Sequence, residues 1–306
     1  MPRKIKQIFR FMMDFSQVIS IIFVYVVFYF FPISWVSNLI GFIARTTLPY
    51  LPMSNRAIKN LELVMPELSL AEKKQIIAGM WENLARVVFE YISLPRLKIY
   101  TENSRVEVRG LEVIEHLHKN GGPAILFLGH LAHWELATMT GLQKGLKITQ
   151  LYRRLNYPLT DKFINYVHKK IAQEVITKGP EGARKMLDTL RKGGIVSLLL
   201  DQKLREGESV PFFGIPAMTP SAPARIALKL NCPFIPIQVE RFPNAHFRVT
   251  YHSPLKPRIK GTLDEQTADL LKQMNELFES WIRQHPEQWL WLHRRWPKHY
   301  YKSIDK

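Results

Sequence analysis

Beyond residue 100 the chain carries four short apolar runs, at 123–128, 146–151, 194–200 and 234–239, and the gaps between them are filled by stretches with helical spacing. Runs that stay apolar over most of their length suit strands covered on both faces, and strand–helix alternation supplies the covering layers. The pattern therefore predicts an α/β fold: a mixed sheet flanked by helices on both faces. The helices are expected near 133–142, 159–172, 182–191, 220–230 and 264–284. Ahead of them a long amphipathic helix is expected over 69–94. Ser69-Leu70-Ala71-Glu72 has the pattern of a capping box, and Trp81, Leu84, Val88 and Tyr91 follow at helical spacing.

The N-terminus has a different character. After the basic start Met1-Pro2-Arg3-Lys4-Ile5-Lys6, residues 18–31 are almost wholly apolar, with little more than Ser20 to interrupt them. The run is shorter than the ~20 residues a perpendicular span needs, and no small-residue cleavage site follows it. A second apolar stretch begins directly after Pro32 and reaches Tyr50. We expect residues 1–51 to form a hydrophobic, membrane-anchoring helical segment, as a hairpin or lying along the interface with Trp35 and Tyr50 at headgroup depth. Residues 52–306 would form the catalytic domain. The formal charge of +17 asks for acidic partners, but does not choose among nucleic acid, anionic lipid and an acidic carrier. The single cysteine, Cys232, excludes an internal disulfide, fits a reducing compartment and reads as a packing residue.

The stretch richest in chemistry is Gly129-His130-Leu131-Ala132-His133-Trp134-Glu135, placed after an apolar strand and before a helix, where α/β sheets build their active sites. In one continuous helix, positions five apart are about 140° out of phase. His130 and Glu135 can therefore meet only if the histidine occupies the turn and the glutamate the first turns of the helix. A histidine oriented by a carboxylate supplies a general base near neutral pH, the group that a transfer to a hydroxyl needs for its proton. In this reading Glu135 holds the imidazole tautomer and stabilises the imidazolium. A metal site of His130, His133 and Glu135 has poor geometry on a tight turn, and His133 is expected at the solvent or along the cleft. There is no Gly-x-Ser-x-Gly elbow and no phosphate-binding Gly-rich loop.

Around this motif the sequence resembles the late acyltransferases of lipid A biosynthesis, a branch of the lysophospholipid acyltransferase superfamily marked by a His-x4-Asp/Glu dyad. The resemblance covers Asn55-Arg56, Asn60-Leu61, Trp81-Glu82-Asn83, Arg86 and Glu90 upstream. Downstream it covers Tyr152-Arg153, Asn156, Pro158, Gly182-Ala183-Arg184, Asp201-Gln202 and Val210-Pro211-Phe212-Phe213-Gly214-Ile215-Pro216-Ala217. It ends with Trp289-Leu290-Trp291-Leu292-His293-Arg294-Arg295-Trp296. Glutamate stands where the wider superfamily has aspartate, and Asp201-Gln202 replaces its Glu-Gly-Thr-Arg block, which weakens the case for a glycerol-phosphate acceptor. The resemblance implies an acyl-carrier-protein thioester as donor and a hydroxyl of a phosphorylated lipid A precursor as acceptor. It also implies no separate cofactor, inner-membrane lipids as surroundings and a catalytic domain on the cytoplasmic face. Acylation of another membrane lipid, or a non-catalytic lipid-binding scaffold, are the alternative readings.

Beside the dyad, Arg153 at a strand end is the leading candidate to clamp a phosphate or carboxylate, because a guanidinium binds such groups bidentately. Lys178 and Arg184 are weaker substrate-binding candidates. Asp201 and Gln202 would support the dyad or line the acceptor cleft. The aromatic and basic residues 289–296 raise the question of nucleic-acid stacking, but a packed and membrane-facing surface is the expectation, with no nucleic-acid partner.

Overall fold

The computed structural model describes residues 30–152, 158–172, 174–177 and 179–302, together with isolated positions between 12 and 26. Among them are seven strands of one sheet: β1 (Val106–Arg109), β2 (Ala124–Leu128), β3 (Ile148–Tyr152), β4 (Glu174–Thr177), β5 (Ile195–Leu199), β8 (Phe234–Phe242) and β9 (His246–Tyr251). They lie side by side in the order β1-β9-β8-β2-β5-β3-β4. All neighbours run parallel except β8 and β9, so the sheet is mixed as expected. A separate hairpin, β6 (Glu208–Phe212) and β7 (Ile215–Thr219), turns through Phe213 and Gly214, both at positive φ as in a type I′ turn.

The four apolar runs are strands because both their faces are covered. From β2, Ala124, Leu126 and Leu128 enter one core with Ile195, Ile235, Leu136 and Ala137, while Ile125 and Phe127 enter the other with Val196, Leu198, Phe234 and Phe278. Phe127 stacks on Phe234 with centroids 4.3 Å apart and meets Phe278 edge-on at 5.9 Å. Truncating such a side chain to alanine costs about 3–5 kcal/mol. On one side lies the helix Glu135–Gln143; on the other, the 22-residue helix Leu263–Gln284, opened by a capping box from Thr262 to Glu265.

The register of the two central strands places the site. Leu128 of β2 pairs with Leu199 of β5, and the Leu200 N–H donates to the Leu128 carbonyl at 3.0 Å. Because the strands are parallel, the residues leaving both carboxyl ends emerge side by side. A layer of helices closes over them. The helix Leu70–Glu90 starts in the expected Ser69–Glu72 capping box, and the helix Ile33–Thr47 packs against it through Ser37, which donates to Glu90 at 2.6 Å, and Arg45, which pairs with Glu82 at 2.9 Å. No helix among the described residues is long and apolar enough to cross a membrane. Helix Ile33–Thr47 nevertheless exposes Trp35 (71%), Leu39 (59%) and Phe42 (65%) along one face. Much of the apolar run 18–31 lies outside the described residues.

Candidate active site

His130 sits in the turn after β2, and Glu135 is the first residue of the following helix, the placement that their spacing demands. The turn is strained: Ala132, fully buried, adopts φ of 48°, a region that residues with a Cβ rarely enter. It is held from two directions. The Ala132 N–H donates to the Gln288 carbonyl at 3.0 Å and its carbonyl accepts from Asn83 Nδ2 at 3.3 Å. Alongside, Leu131 forms a β-bridge with Trp289, and the Leu290 N–H donates to the His130 carbonyl at 3.2 Å. The C-terminal segment thus runs antiparallel to the His130 turn.

The carboxylate that grips the imidazole comes from the end of β5. Asp201, 1% exposed, accepts from His130 Nδ1 at 2.7 Å through Oδ1, while Oδ2 accepts the His130 backbone N–H at 2.9 Å and Trp289 Nε1 at 2.8 Å. Burial works to raise the Asp201 pKa, but the charge and hydrogen bonds of His130, joined by the Trp289 bond, override it and hold the carboxyl down at about 2. Asp201 is therefore ionised and can only accept. Nδ1 carries the hydrogen, leaving the Nε2 lone pair available.

Glu135 has different company. Its Oε2 accepts from Gln150 Nε2 at 2.8 Å and its Oε1 from Trp134 Nε1 at 3.1 Å, while the Trp134 indole meets His130 edge-on at 5.2 Å. Burial pushes its carboxyl pKa up, opposed by the Gln150 and Trp134 bonds and by the charge of His130. Two buried carboxyl groups thus act on one imidazole. The orienting bond expected from Glu135 comes from Asp201, for which only support or cleft lining was expected.

His133 does not face solvent. It lies wholly buried beneath the turn, edge-on to Phe247, with Nε2 4.0 Å from Glu90 Oε2, and burial pushes its pKa down to about 4. The reason is the helical layer above it: Glu90 is itself locked by a bidentate bond to Arg241, 2.8 Å on each oxygen. Trp289, Trp291 and Trp296 are likewise buried, so the C-terminal run is packed but its tryptophans face neither membrane nor bases. Arg295 threads this core over the Phe212 ring and donates to the Met218 carbonyl and Thr219 Oγ1, both at 2.8 Å. Cys232 is a buried packing residue whose thiol burial pushes up to about 11.

Of the other expected site residues, Arg153 and Lys178 lie outside the described residues. Arg184 is exposed on the helix Pro180–Arg191 and forms no hydrogen bond or ion pair among the described residues. Gln202 is half-buried beside Asp201.

A family model described as "Bacterial lipid A biosynthesis acyltransferase" matches residues 4–298. The chain belongs to this family. It is an acyltransferase, similar to the lipid A biosynthesis myristoyltransferase of Escherichia coli (24% identity; 78% of this chain, 73% of the relative). The phosphatidylinositol mannoside acyltransferase of Mycobacterium tuberculosis is 28% identical over 58% of each chain. Among solved structures, the 1-acyl-sn-glycerophosphate (LPA) acyltransferase of Thermotoga maritima overlaps loosely, with a TM-score of 0.35 and 12% identity over 74% of this chain and 95% of that one. In this acyltransferase the residues that sequence reasoning missed are Asn83, Gln150 and Gln288, which hold the turn and Glu135. Only Asn83 lay within a quoted motif; Gln150 falls near the end of an expected strand and Gln288 carried no local signal.

Proposed function

We propose that this acyltransferase moves a fatty acyl group from an acyl-carrier-protein thioester to a hydroxyl, borne on an existing acyl chain, of a lipid A precursor. The observation that carries the reading is the 2.7 Å bond from His130 Nδ1 to the buried Asp201 carboxylate, which frees Nε2 to act as base. The acceptor hydroxyl gives its proton to Nε2 as its oxygen attacks the thioester carbonyl. The tetrahedral adduct then expels the thiolate, which takes the proton back from the imidazolium. Asp201 fixes the tautomer, and Glu135, set by Gln150 and Trp134, adds a second negative group as the imidazolium forms. A thioester is already activated, so the reaction asks for no cofactor or metal.

The reading places the enzyme on the cytoplasmic face of the inner membrane, among inner-membrane lipids. Its support is the exposed Trp35, Leu39 and Phe42 face and the chain's basic charge, which suits anionic headgroups and an acidic carrier alike.

The test is mass spectrometry of lipids after the full chain meets acyl-carrier-protein thioesters with lipid A precursor, lysophospholipid or mannosylated inositol lipid. An added acyl ester on the lipid A precursor is expected. Transfer confined to another lipid, or to none, overturns the assignment.

A further inference from the structure

Beside the active site the fold gathers more positive charge than it pairs. Lys203 and Arg205 follow Asp201 on one segment; Arg294 and Lys298 follow Trp289 on the other. The two segments are tied where the Lys203 backbone N–H donates to His293 Nε2 at 3.1 Å. Among the described residues none of these four cations forms an ion pair. Glu206, next to Arg205, pairs with none of them, and Asp201 is already taken by His130 and Trp289. Arg294 lies over the Tyr301 ring at 5.5 Å, and its Nε is buried with no hydrogen-bond partner. Arg295 adds a fifth charge from behind.

Several arginines elsewhere are matched to carboxylates instead. Arg241 is matched to Glu90, Arg45 and Arg86 to Glu82, and Arg225 to Glu208 and Asp264. Burial and then the charges of Arg294, Arg205, Lys298 and Arg295 push the Lys203 ammonium pKa below its ordinary value, so the cluster is electrostatically unfavourable in the empty fold. A fold that keeps such a cluster at the edge of its site departs from local stability in the way functional sites do.

We propose that Lys203, Arg205, Arg294 and Lys298 form the seat for a phosphate monoester of the acceptor glycolipid, anchoring it beside His130. A phosphate dianion answers a cluster of this kind with several charge-assisted hydrogen bonds at once. The acceptor is the fitting source because its hydroxyl must reach His130, whose partner Asp201 lies two residues before Lys203, and because Lys203 and Arg294, on the segments tied through His293, are half-buried. The acidic surface of a carrier protein would meet only the exposed Arg205 and Lys298. This seat rests on the acyl-transfer reading above, with the lipid A precursor phosphorylated as the sequence resemblance implies.

Two full-length variants test it: Arg205→Ala with Lys298→Ala, both exposed and free of packing duties, and Lys203→Ala with Arg294→Gln. Each is assayed with the phosphorylated acceptor and with the same lipid after phosphatase treatment. The KM for the phosphorylated acceptor should rise about 10-fold or more, the effect of losing one or two charge-assisted bonds. The preference for phosphorylated over dephosphorylated lipid should collapse with it. A rise confined to the KM of the carrier-protein thioester would mean a carrier-docking surface and overturn the seat. Equal losses on both lipids, or no change, overturn it too. If the wild type turns over no acceptor, the acyl-transfer reading fails by itself. The seat is then decided by equilibrium binding of the two lipids in detergent micelles to the His130→Ala protein, and equal affinity for both rejects it.

Discussion

Replacing Asp201 by asparagine exchanges one oxygen for an NH2 group and should remove most of the catalysis. Oδ2 accepts two donors that cannot turn away, the His130 backbone N–H at 2.9 Å and Trp289 Nε1 at 2.8 Å. The amide oxygen of the introduced asparagine must serve them, which leaves its NH2 group facing His130 Nδ1 where Oδ1 stood at 2.7 Å. Nδ1 is then obliged to accept, the hydrogen moves to Nε2, and the nitrogen that should take the substrate proton is blocked. The equivalent error in a serine-protease triad lowers kcat about 10⁴-fold. We expect a loss on the order of 10³–10⁴-fold here, with the KM for both substrates little changed. In Glu135→Gln the amide oxygen keeps the Trp134 bond and the NH2 group donates to Gln150 Oε1 once the Gln150 amide turns over, so the change should cost less, about 10²-fold. The assay is single-turnover acyl transfer, with thermal unfolding to confirm that both variants fold. An Asp201→Asn enzyme within a few-fold of wild type, or one less impaired than Glu135→Gln, would refute the assignment of Asp201 as the orienting carboxylate.

Three further outcomes follow from the packing. Glu90→Gln should cost about 3–5 kcal/mol, because it leaves the Arg241 guanidinium buried without its counter-charge, and adding Arg241→Met should recover part of that loss; urea unfolding of the single and double variants measures both. His133 is neutral in the fold because burial lowers its pKa from 6.5 to about 4, so the unfolded chain binds the extra proton. Wild-type stability should therefore fall by about 3 kcal/mol as pH drops from 6.5 to 4, a share of the acid slope that His133→Leu should lose; identical slopes in unfolding titrations would contradict this. Trp35→Glu with Phe42→Glu should weaken the binding of the full chain to anionic vesicles in flotation assays while leaving unfolding unchanged, and undiminished binding would remove that face from the membrane contact.

Much of this molecule is written in local pattern. The runs at 123–128 and 194–200 are apolar almost throughout because both faces of β2 and β5 are covered, and a pattern of that kind is legible without a partner in view. Ser69 and Glu72 announce the helix they cap, and the strand-turn-helix around His130 follows from the apolar run and the phase of a 3.6-residue helix. Strands β1, β4 and β9 escaped notice, as did the β6–β7 hairpin, because they are short, lie toward the sheet edges or outside it, or mix polar residues with apolar ones. Tertiary structure alone decided which acid holds the histidine. Glu135 is five residues from His130 and Asp201 is 71, yet the imidazole bonds to Asp201, because the parallel register of β2 and β5 brings their carboxyl ends together. The same long-range closure buries His133 under Glu90 and Arg241, and carries Trp289 to the second oxygen of Asp201. Periodicity tells a residue which face it occupies; only strand order and register determine what stands on the other side.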